Sequence, residues 1–283
     1  MFSAAIHGET SMTAPNILLI MTDQHRGDCL GCDGHPAVKT PNLDALAARG
    51  TRFRHAYSAV PSCVPARGGL ISGMDPWHTG ILGMGRGEAG PIPDTFRHTI
   101  AGELARAGYH TQGIGKMHFA PQRALNGFHA TILDESGRRE SSDFTSDYRR
   151  WFEDHKTGPY GCDDHGLDWN SWLSRPSHLP ESLHPTWWTA QQSIEWLERR
   201  DPHKPFFLKM SFARPHSPYD PPQTYFDMYR DASIPPPHIG KWAGINDCPA
   251  DAIDVNAWRG RMAPEDIRRA RACYYANITF IDH

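Results

Sequence analysis

The 283-residue chain lacks the features that mark several classes of protein. It has no apolar run of membrane-spanning length, and its first fifteen residues lack the basic start and apolar core of a signal peptide. Its 29 Lys and Arg balance 32 Asp and Glu, so neither a nucleic-acid partner nor a polyanionic tail is indicated. No internal repeat is visible. We therefore expect a soluble, cytoplasmic protein without nucleic-acid or membrane partners, in which binding depends on local sites.

A disulfide framework and a structural zinc site are not indicated either. The chain is long enough to bury its own core, so reduced thiols are the simplest state for its six cysteines. Cys29 and Cys32 have the C-x-x-C spacing, but no second pair and no nearby histidine pair completes a zinc site. The 17 histidines and 9 tryptophans instead suggest polar and aromatic residues that line a site.

Three apolar runs of strand length each end at polar side chains. The runs are residues 16–21, 110–114 and 205–212. Such runs are typical of strands buried on both faces of a parallel sheet, and ligands of open α/β folds bind beyond the carboxyl ends of these strands. The polar residues that follow the runs are Asp23 and Gln24, Lys116 and His118, and His216. The pattern predicts an α/β fold with these side chains at one edge of the sheet.

In the stretch from Ser62 to Gly73, Cys63 lies at the start of a predicted helix. Pro65 lies in the first turn of that helix, and Arg67 is four residues after Cys63. The free N–H groups and the dipole at the amino terminus of a helix stabilise a bound anion. Positively charged side chains nearby, such as Arg67 and Lys116, would also favour an anionic substrate. Oxygen atoms of Asp23 and Gln24 suit a hard cation. From these residues alone, Cys63 could be a small buried hydrophobe, a thiolate nucleophile, a metal ligand or a residue that is modified after translation.

Helix signals and one irregular segment complete the outline. Helices are predicted from Thr40 to Gly50, after Asp94 as far as Ala107, and from Pro264 onward, where no stop signal follows. Residues 119–185 show no clean period and are rich in Asp, His, Trp, Gly and Pro, so we interpret them as an insertion that faces the substrate.

Four segments, in order along the chain, carry a resemblance to a known family. Cys63-Val64-Pro65-Ala66-Arg67, followed by Leu70, Ser72 and Gly73, resembles the signature of the formylglycine-dependent sulfatases, a branch of the alkaline phosphatase superfamily. Residues 16–24 look like the family's first metal-binding strand, residues 115–118 like its Gly-Lys-Trp-His segment, and residues 215–218 like its Pro-His-x-Pro segment. The match runs from Asn16 to the end of the chain, with Ala66 and Met117 as departures that remove no charge.

The resemblance implies a fold and a domain organisation. We expect a mixed, mostly parallel sheet flanked by helices, as in alkaline phosphatase, formed by a catalytic domain over residues 16–283 after a disordered extension over residues 1–15. The family places a further acidic metal ligand and a second lysine beyond the position of His283. The resemblance therefore leads us to expect that the C-terminal part of the domain is missing from this chain.

The resemblance also implies a chemistry. Cys63 would be oxidised by a formylglycine-generating enzyme, and the aldehyde hydrate would attack a sulfate monoester of an aryl alcohol or a carbohydrate. A divalent metal, with Ca²⁺ expected first and Mn²⁺ or Mg²⁺ as alternatives, would be held by Asp23, Gln24 and the modified Cys63.

Further roles follow from the same resemblance. Arg67 would hold the formylglycine hydroxyl, Lys116 would bridge nucleophile and sulfate, His118 would accept a proton from the hydrate, and His216 would stabilise the leaving oxygen. Two other functions stay open: a phosphonate monoesterase or phosphodiesterase of the same superfamily, and a non-catalytic protein that binds anions or sulfated sugars.

Overall fold

The fold is built on a parallel sheet of four strands. A computed structural model of the chain describes residues 14–84, 92–93, 96–138, 142–246 and 262–283. The strands are β1 (Ile17–Asp23), β2 (Ile92–Pro93), β3 (His110–Gly115), β4 (Phe119–Ala120), β5 (Ala130–Leu133) and β6 (Phe206–Pro215). The main sheet has the order β1-β6-β3-β5 with every pair parallel, and β2 pairs separately with β4. Among the described residues the main sheet is thus wholly parallel.

Helices cover the sheet and extend from its ends. They are α1 (Pro41–Arg49), α2 (Cys63–Ser72), α3 (Pro76–Thr79), α4 (Ile100–Arg106), α5 (Asp147–His155), α6 (Pro185–Arg199), α7 (Gln223–Arg230) and α8 (Pro264–Asp282). Phe207 packs in the core with Val64 and Ile71 of α2, whereas Phe206 and Leu208 pack on the opposite face beside α6. Because successive residues of a strand point to opposite faces, β6 is buried on both, as its sequence predicts.

The strand β1 differs from that prediction. It lies at the edge of the sheet, and Leu18 and Ile20 are 46% and 47% exposed. The expectation that both faces of this run are buried is therefore wrong for the described part of the chain. An edge strand has one sheet neighbour instead of two, so fewer elements are available to cover it.

The predicted helices are found with one change of boundary. The segments after Thr40 and from Pro264 are helical as predicted. The fourth helix begins only at Ile100, where the Thr99 hydroxyl accepts a hydrogen bond from the Gly102 amide at 3.0 Å. The predicted cap, Asp94, lies outside the described residues, as do residues 1–13 of the predicted N-terminal extension. No described helix is long and apolar enough to cross a membrane.

The sheet order brings the predicted site residues together. Asp23 ends β1, Lys116 follows β3 and His216 follows β6, and these three strands are consecutive in the sheet. Parallel strands end at the same edge, so the three side chains meet there. The amino terminus of α2, which begins with Cys63, lies against the same edge.

Candidate active site

Asp23 is the centre of the site. Its side chain is buried, its Oδ2 accepts a hydrogen bond from Arg67 Nη2 at 2.8 Å, and Lys116 Nζ lies 3.1 Å from the same oxygen. Burial by itself raises the pKa of a carboxyl group, but Lys116 and Arg67 together hold the pKa of Asp23 well below its usual range. The carboxylate is therefore ionised at any physiological pH and can serve as a ligand for a cation.

Cys63 points into this polar cluster. It is the first residue of α2, it is only partly exposed, and its thiol donates a hydrogen bond to Asp23 Oδ1 at 3.2 Å. Burial raises the pKa of the thiol even though Lys116 opposes the change, so Cys63 is a neutral thiol at neutral pH. This environment disfavours a thiolate nucleophile, which requires a lowered pKa. Its hydrogen bond to a carboxylate also sets it apart from a cysteine that only fills apolar space.

Arg67 ties the helix to two strands. It lies one turn after Cys63, on the same face of α2, and is 2% exposed. Besides Asp23, its guanidinium donates to the Lys116 backbone carbonyl and, at 3.0 Å, to the Ser211 hydroxyl of β6. These contacts fix the planar guanidinium in one orientation, and so fix the turn of helix that carries Cys63.

His118 lies in a tight turn after β3. Its φ is +65°, and both its backbone N–H and that of Met117 donate to Glu135 Oε1, at 3.0 and 2.9 Å. Burial and the nearby Lys116 lower the pKa of His118 well below its usual value, and its Nδ1 has no hydrogen-bond partner in the part of the chain that the structure describes. A neutral, buried imidazole with a free nitrogen can accept a proton.

Glu135 and Ser211 are functional candidates that the sequence reading missed. Glu135 is 1% exposed and supplies the acceptor that holds the His118 turn. It lies two residues beyond the carboxyl end of β5, so the rule that selected Lys116 and His118 would have selected it too, had β5 been recognised within the segment 119–185. Ser211 lies inside a strand, and no pattern distinguishes it from a structural serine.

His216 completes the cluster from the loop after β6. It is 7% exposed, and its Nδ1 donates to the Ser217 carbonyl at 2.8 Å, which leaves a lone pair on Nε2. Burial and Lys116 lower the pKa of His216 to about 4, so the ring is neutral at neutral pH. Ligand atoms of Asp23, Cys63 and His216 lie within 4.8 Å of one another.

The donor set fits a cation only in part. In the described ranges, Asp23, Cys63 and His216 are the one group of three His, Cys, Asp or Glu side chains close enough to share an ion. A hard cation prefers oxygen, which Asp23 provides and which Cys63 would provide once its sulfur is replaced by oxygen. The side chain of Gln24 is exposed, and its backbone carbonyl accepts a hydrogen bond from the Tyr274 hydroxyl at 2.7 Å. Ligation by Gln24 stays a prediction.

Comparison with known proteins identifies the family of the chain. Residues 15–283 match the family profile described as Sulfatase. The chain is 47% identical over 279 residues to an arylsulfatase of Clostridium perfringens, covering 95% of this chain and 57% of that protein. It is 29% identical over 287 residues to a choline-sulfatase of Rhizobium meliloti, covering 95% of this chain and 52% of that protein. The chain thus spans about half the length of these curated relatives.

A solved structure also resembles this one. The phosphonate monoester hydrolase of Agrobacterium radiobacter superimposes with a TM-score of 0.73 at 25% sequence identity, covering 95% of this chain and 57% of that chain. The fold is that of the alkaline phosphatase-like hydrolases, as the sequence predicts. Within that class, the chain belongs to the sulfatase family.

Proposed function

We propose that this protein hydrolyses sulfate monoesters with a nucleophile derived from Cys63. The observation that carries the proposal is the setting of Cys63, whose neutral thiol is bonded to the ionised Asp23 beside two buried cations, Arg67 and Lys116. That setting suits an oxygen nucleophile and an anionic substrate better than a thiolate. The 47% identity to an arylsulfatase supports the same activity.

The proposed reaction explains why a cysteine alone is insufficient. A formylglycine-generating enzyme first oxidises the Cβ of Cys63 to an aldehyde with an external oxidant such as molecular oxygen, and the thiol sulfur is lost. An ionised hydroxyl of the aldehyde hydrate then attacks the sulfur of the ester while the bond from that sulfur to the alcohol oxygen breaks, and the alcohol oxygen takes a proton from protonated His216. Loss of a proton from the second hydroxyl to His118 then re-forms the carbonyl, breaks the bond to sulfate and releases it, and water restores the hydrate. A thiolate would instead leave a stable adduct, because the Cβ of cysteine carries no hydroxyl whose deprotonation could expel the sulfate.

The histidines have distinct requirements in this scheme. His118 is neutral and can accept the proton as it stands. His216 already uses Nδ1–H on Ser217, so its Nε2 can donate to the leaving oxygen only after the ring takes up a proton. An anionic ester bound beside the ring favours that uptake, since a nearby negative charge raises the pKa of an imidazole.

A divalent cation fits the same scheme. Members of this family generally depend on a metal and on formylglycine. Asp23 and the modified Cys63 would hold the ion in this chain, with Gln24 as a further candidate and Ca²⁺ expected before Mn²⁺ or Mg²⁺. When bound, such an ion polarises sulfate oxygens and lowers the pKa of the nucleophilic hydroxyl.

The cytoplasmic location predicted from the sequence stays a prediction.

Part of the segment 119–185 lines a cavity that could hold the alcohol part of the sulfate ester. A cavity of about 220 Å³ is lined by Asp163 and Trp169 of this segment, by Arg214 near the end of β6 and by Pro218 of the loop after β6. The Ser217 hydroxyl donates to the Trp169 carbonyl at 3.2 Å, which places this cavity wall beside the residue that follows His216. We infer that the alcohol part of the ester binds on this side, within a catalytic domain over residues 16–283.

A phosphonate monoesterase is the second candidate, because the hydrolase of Agrobacterium radiobacter shares the fold. The same cations would serve phosphoryl oxygens. Rates on an aryl sulfate, a phenyl phosphonate and a phosphate diester with one leaving group separate the two functions. We expect the sulfate to be fastest, whereas a phosphonate preference would overturn the sulfatase proposal.

The variant Cys63→Ala tests the nucleophile in the same assay. Protein coexpressed with a formylglycine-generating enzyme should lose turnover by at least about 10³-fold on this substitution, because the covalent route disappears. Cys32→Ala, at another half-buried cysteine that does not line the proposed alcohol cavity, is the matched control and should retain activity. Equal rates for Cys63→Ala and the parent would overturn the proposal, and binding of sulfate without any metal-dependent turnover would favour the non-catalytic alternative.

A further inference from the structure

In the part of the chain that the structure describes, the ring of His216 forms hydrogen bonds only within its own loop. Among the described residues its hydrogen-bond partners are the carbonyl and the hydroxyl of Ser217, the next residue, at 2.8 and 3.5 Å. In the described ranges, no side chain from another element forms a hydrogen bond with the ring. The position of the imidazole therefore depends on the path of the backbone from Pro215 to Pro218.

A buried ion pair closes that loop. Arg214, two residues before His216, donates from Nε and Nη2 to the two carboxylate oxygens of Asp220, at 2.7 and 2.8 Å. Arg214 is 4% exposed and Asp220 is 2% exposed. A guanidinium and a carboxylate joined by two parallel hydrogen bonds fix both distance and orientation, so the pair fastens the two ends of the loop to each other.

Both partners are anchored to other elements. Arg214 Nη1 donates to the Ser136 hydroxyl at 3.2 Å, next to the Glu135 that holds the His118 turn. The Asp220 carbonyl accepts from His184 Nε2 at 3.1 Å, at the amino end of α6. The pair thus sets the loop relative to β5 and to α6 as well as closing it.

We propose that Arg214 and Asp220 are positioning residues for His216, an inference that rests on the proposed function. Neither residue belongs to the hydrogen-bonded cluster around Asp23. They act by holding the His216 imidazole where it can stabilise the departing alcohol oxygen. A displacement of a reacting group by about 1 Å can lower a rate by about 10²-fold, so the loop has little freedom to move.

The test compares two sulfate esters that differ in their need for His216. A nitrophenyl leaving group departs without help, whereas an alkyl alcohol needs stabilisation of its oxygen. The ratio of kcat/KM for the two esters is independent of how much of a preparation is folded, because both rates scale with the same active fraction. A purely structural defect leaves this ratio unchanged.

We expect Asp220→Asn and Arg214→Lys each to lower kcat/KM for the alkyl sulfate at least about tenfold more than for the nitrophenyl sulfate, in the direction of His216→Ala. The matched control is Arg123→Met, because Arg123 also pairs with an aspartate, Asp147, through two hydrogen bonds, at 2.6 and 2.9 Å. That pair is partly exposed, and in the described residues it forms no hydrogen bond with the loop of His216, so the control should leave the ratio unchanged.

The possible results distinguish failure of the positioning role from failure of the proposed function. An unchanged ratio in both Asp220→Asn and Arg214→Lys, with a changed ratio in His216→Ala, would overturn the positioning role alone. A ratio that changes equally in Arg123→Met would also overturn it, because the effect would then not be specific to the loop of His216. Arg214 and Asp220 also line the cavity proposed for the alcohol group, so Asp220→Asn introduced into His216→Ala should leave the ratio unchanged. A further change of the ratio in that double variant would show a direct contact with the alcohol and overturn the positioning role. A parent protein that hydrolyses neither ester would overturn the proposed function and this inference with it.

Discussion

Lys209 is a buried lysine in the interior strand β6, and its effect on the free energy of unfolding can be calculated. Lys209 of β6 is 2% exposed, and its amine donates a hydrogen bond to the Met117 sulfur at 3.4 Å. A thioether is a weak acceptor. Burial lowers the pKa of Lys209 to about 7, the positive charge of Arg67 adds to the effect, and Glu135 and Asp23 oppose it.

The size and the sign of the effect on stability follow from linkage. A change of pKa from 10.5 to about 7 corresponds to about 5 kcal/mol of unfavourable free energy for the protonated form. Below pH 7 the lysine is protonated in both the folded and the unfolded state, so the folded protein bears the full unfavourable free energy of the buried charge. Between pH 7 and pH 10.5 the unfolded chain keeps a proton that the folded protein has released, so the stability of the parent rises with pH.

We therefore predict that Lys209→Met stabilises the protein at neutral pH. Methionine has a similar length and shape, and it removes the buried amine without leaving a cavity. The free energy of unfolding in urea should increase by up to about 4 kcal/mol near pH 7, and by only about 1 kcal/mol near pH 10. Lys204→Met, at an exposed lysine, controls for the loss of one positive charge. A variant that is less stable than the parent near pH 7, or a difference that is equal at both pH values, would refute the reasoning.

Three further predictions concern the turn after β3. Gly115→Ala should destabilise the protein by more than about 3 kcal/mol in thermal unfolding, because Gly115 has a φ of +90° and a Cβ there would collide with the Ser211 carbonyl; an unchanged Tm would contradict this. Glu135→Ala leaves the buried N–H groups of Met117 and His118 without an acceptor, and it should lower the free energy of unfolding by about 1 to 3 kcal/mol for each group. A decrease below about 1 kcal/mol in urea unfolding would count against the role of Glu135 in this turn. The acid limb of kcat/KM should lie below pH 6.5, because burial and a neighbouring lysine lower the pKa of His118; an acid limb at or above pH 6.5 would exclude His118 as the base.

The sequence predicted the parts of the site that follow from strand ends and from a helix start. Asp23, Lys116 and His216 each lie within four residues of the end of an apolar run, and consecutive parallel strands bring such residues to one edge. Cys63 and Arg67 share one face of a helix because they are four residues apart. These placements need only periodicity and the order of the elements.

Other features depend on contacts that no local pattern specifies. Whether a carboxylate such as Glu135 holds a turn, or Asp220 closes a loop onto Arg214, depends on which strands are neighbours and on their register. Lys209 occupies a position that a hydrophobic pattern assigns to the core. Only the packing shows that, among the described residues, the Met117 sulfur is the hydrogen-bond acceptor of its amine. The start of α4 was missed because a capping residue fits several positions, and Thr99 competes with Asp94 for that role.

The central claim is that Cys63 works as formylglycine, and the mass of the peptide that contains it is the most direct test. Protein coexpressed with a formylglycine-generating enzyme and assayed for sulfatase turnover would be digested and measured by mass spectrometry, with an aldehyde-reactive probe as a second readout. The account predicts a peptide in which the sulfur has been replaced by an aldehyde oxygen, in a proportion that follows the specific activity of each preparation. A peptide that retains its thiol in protein that hydrolyses sulfate esters at full rate would contradict the account.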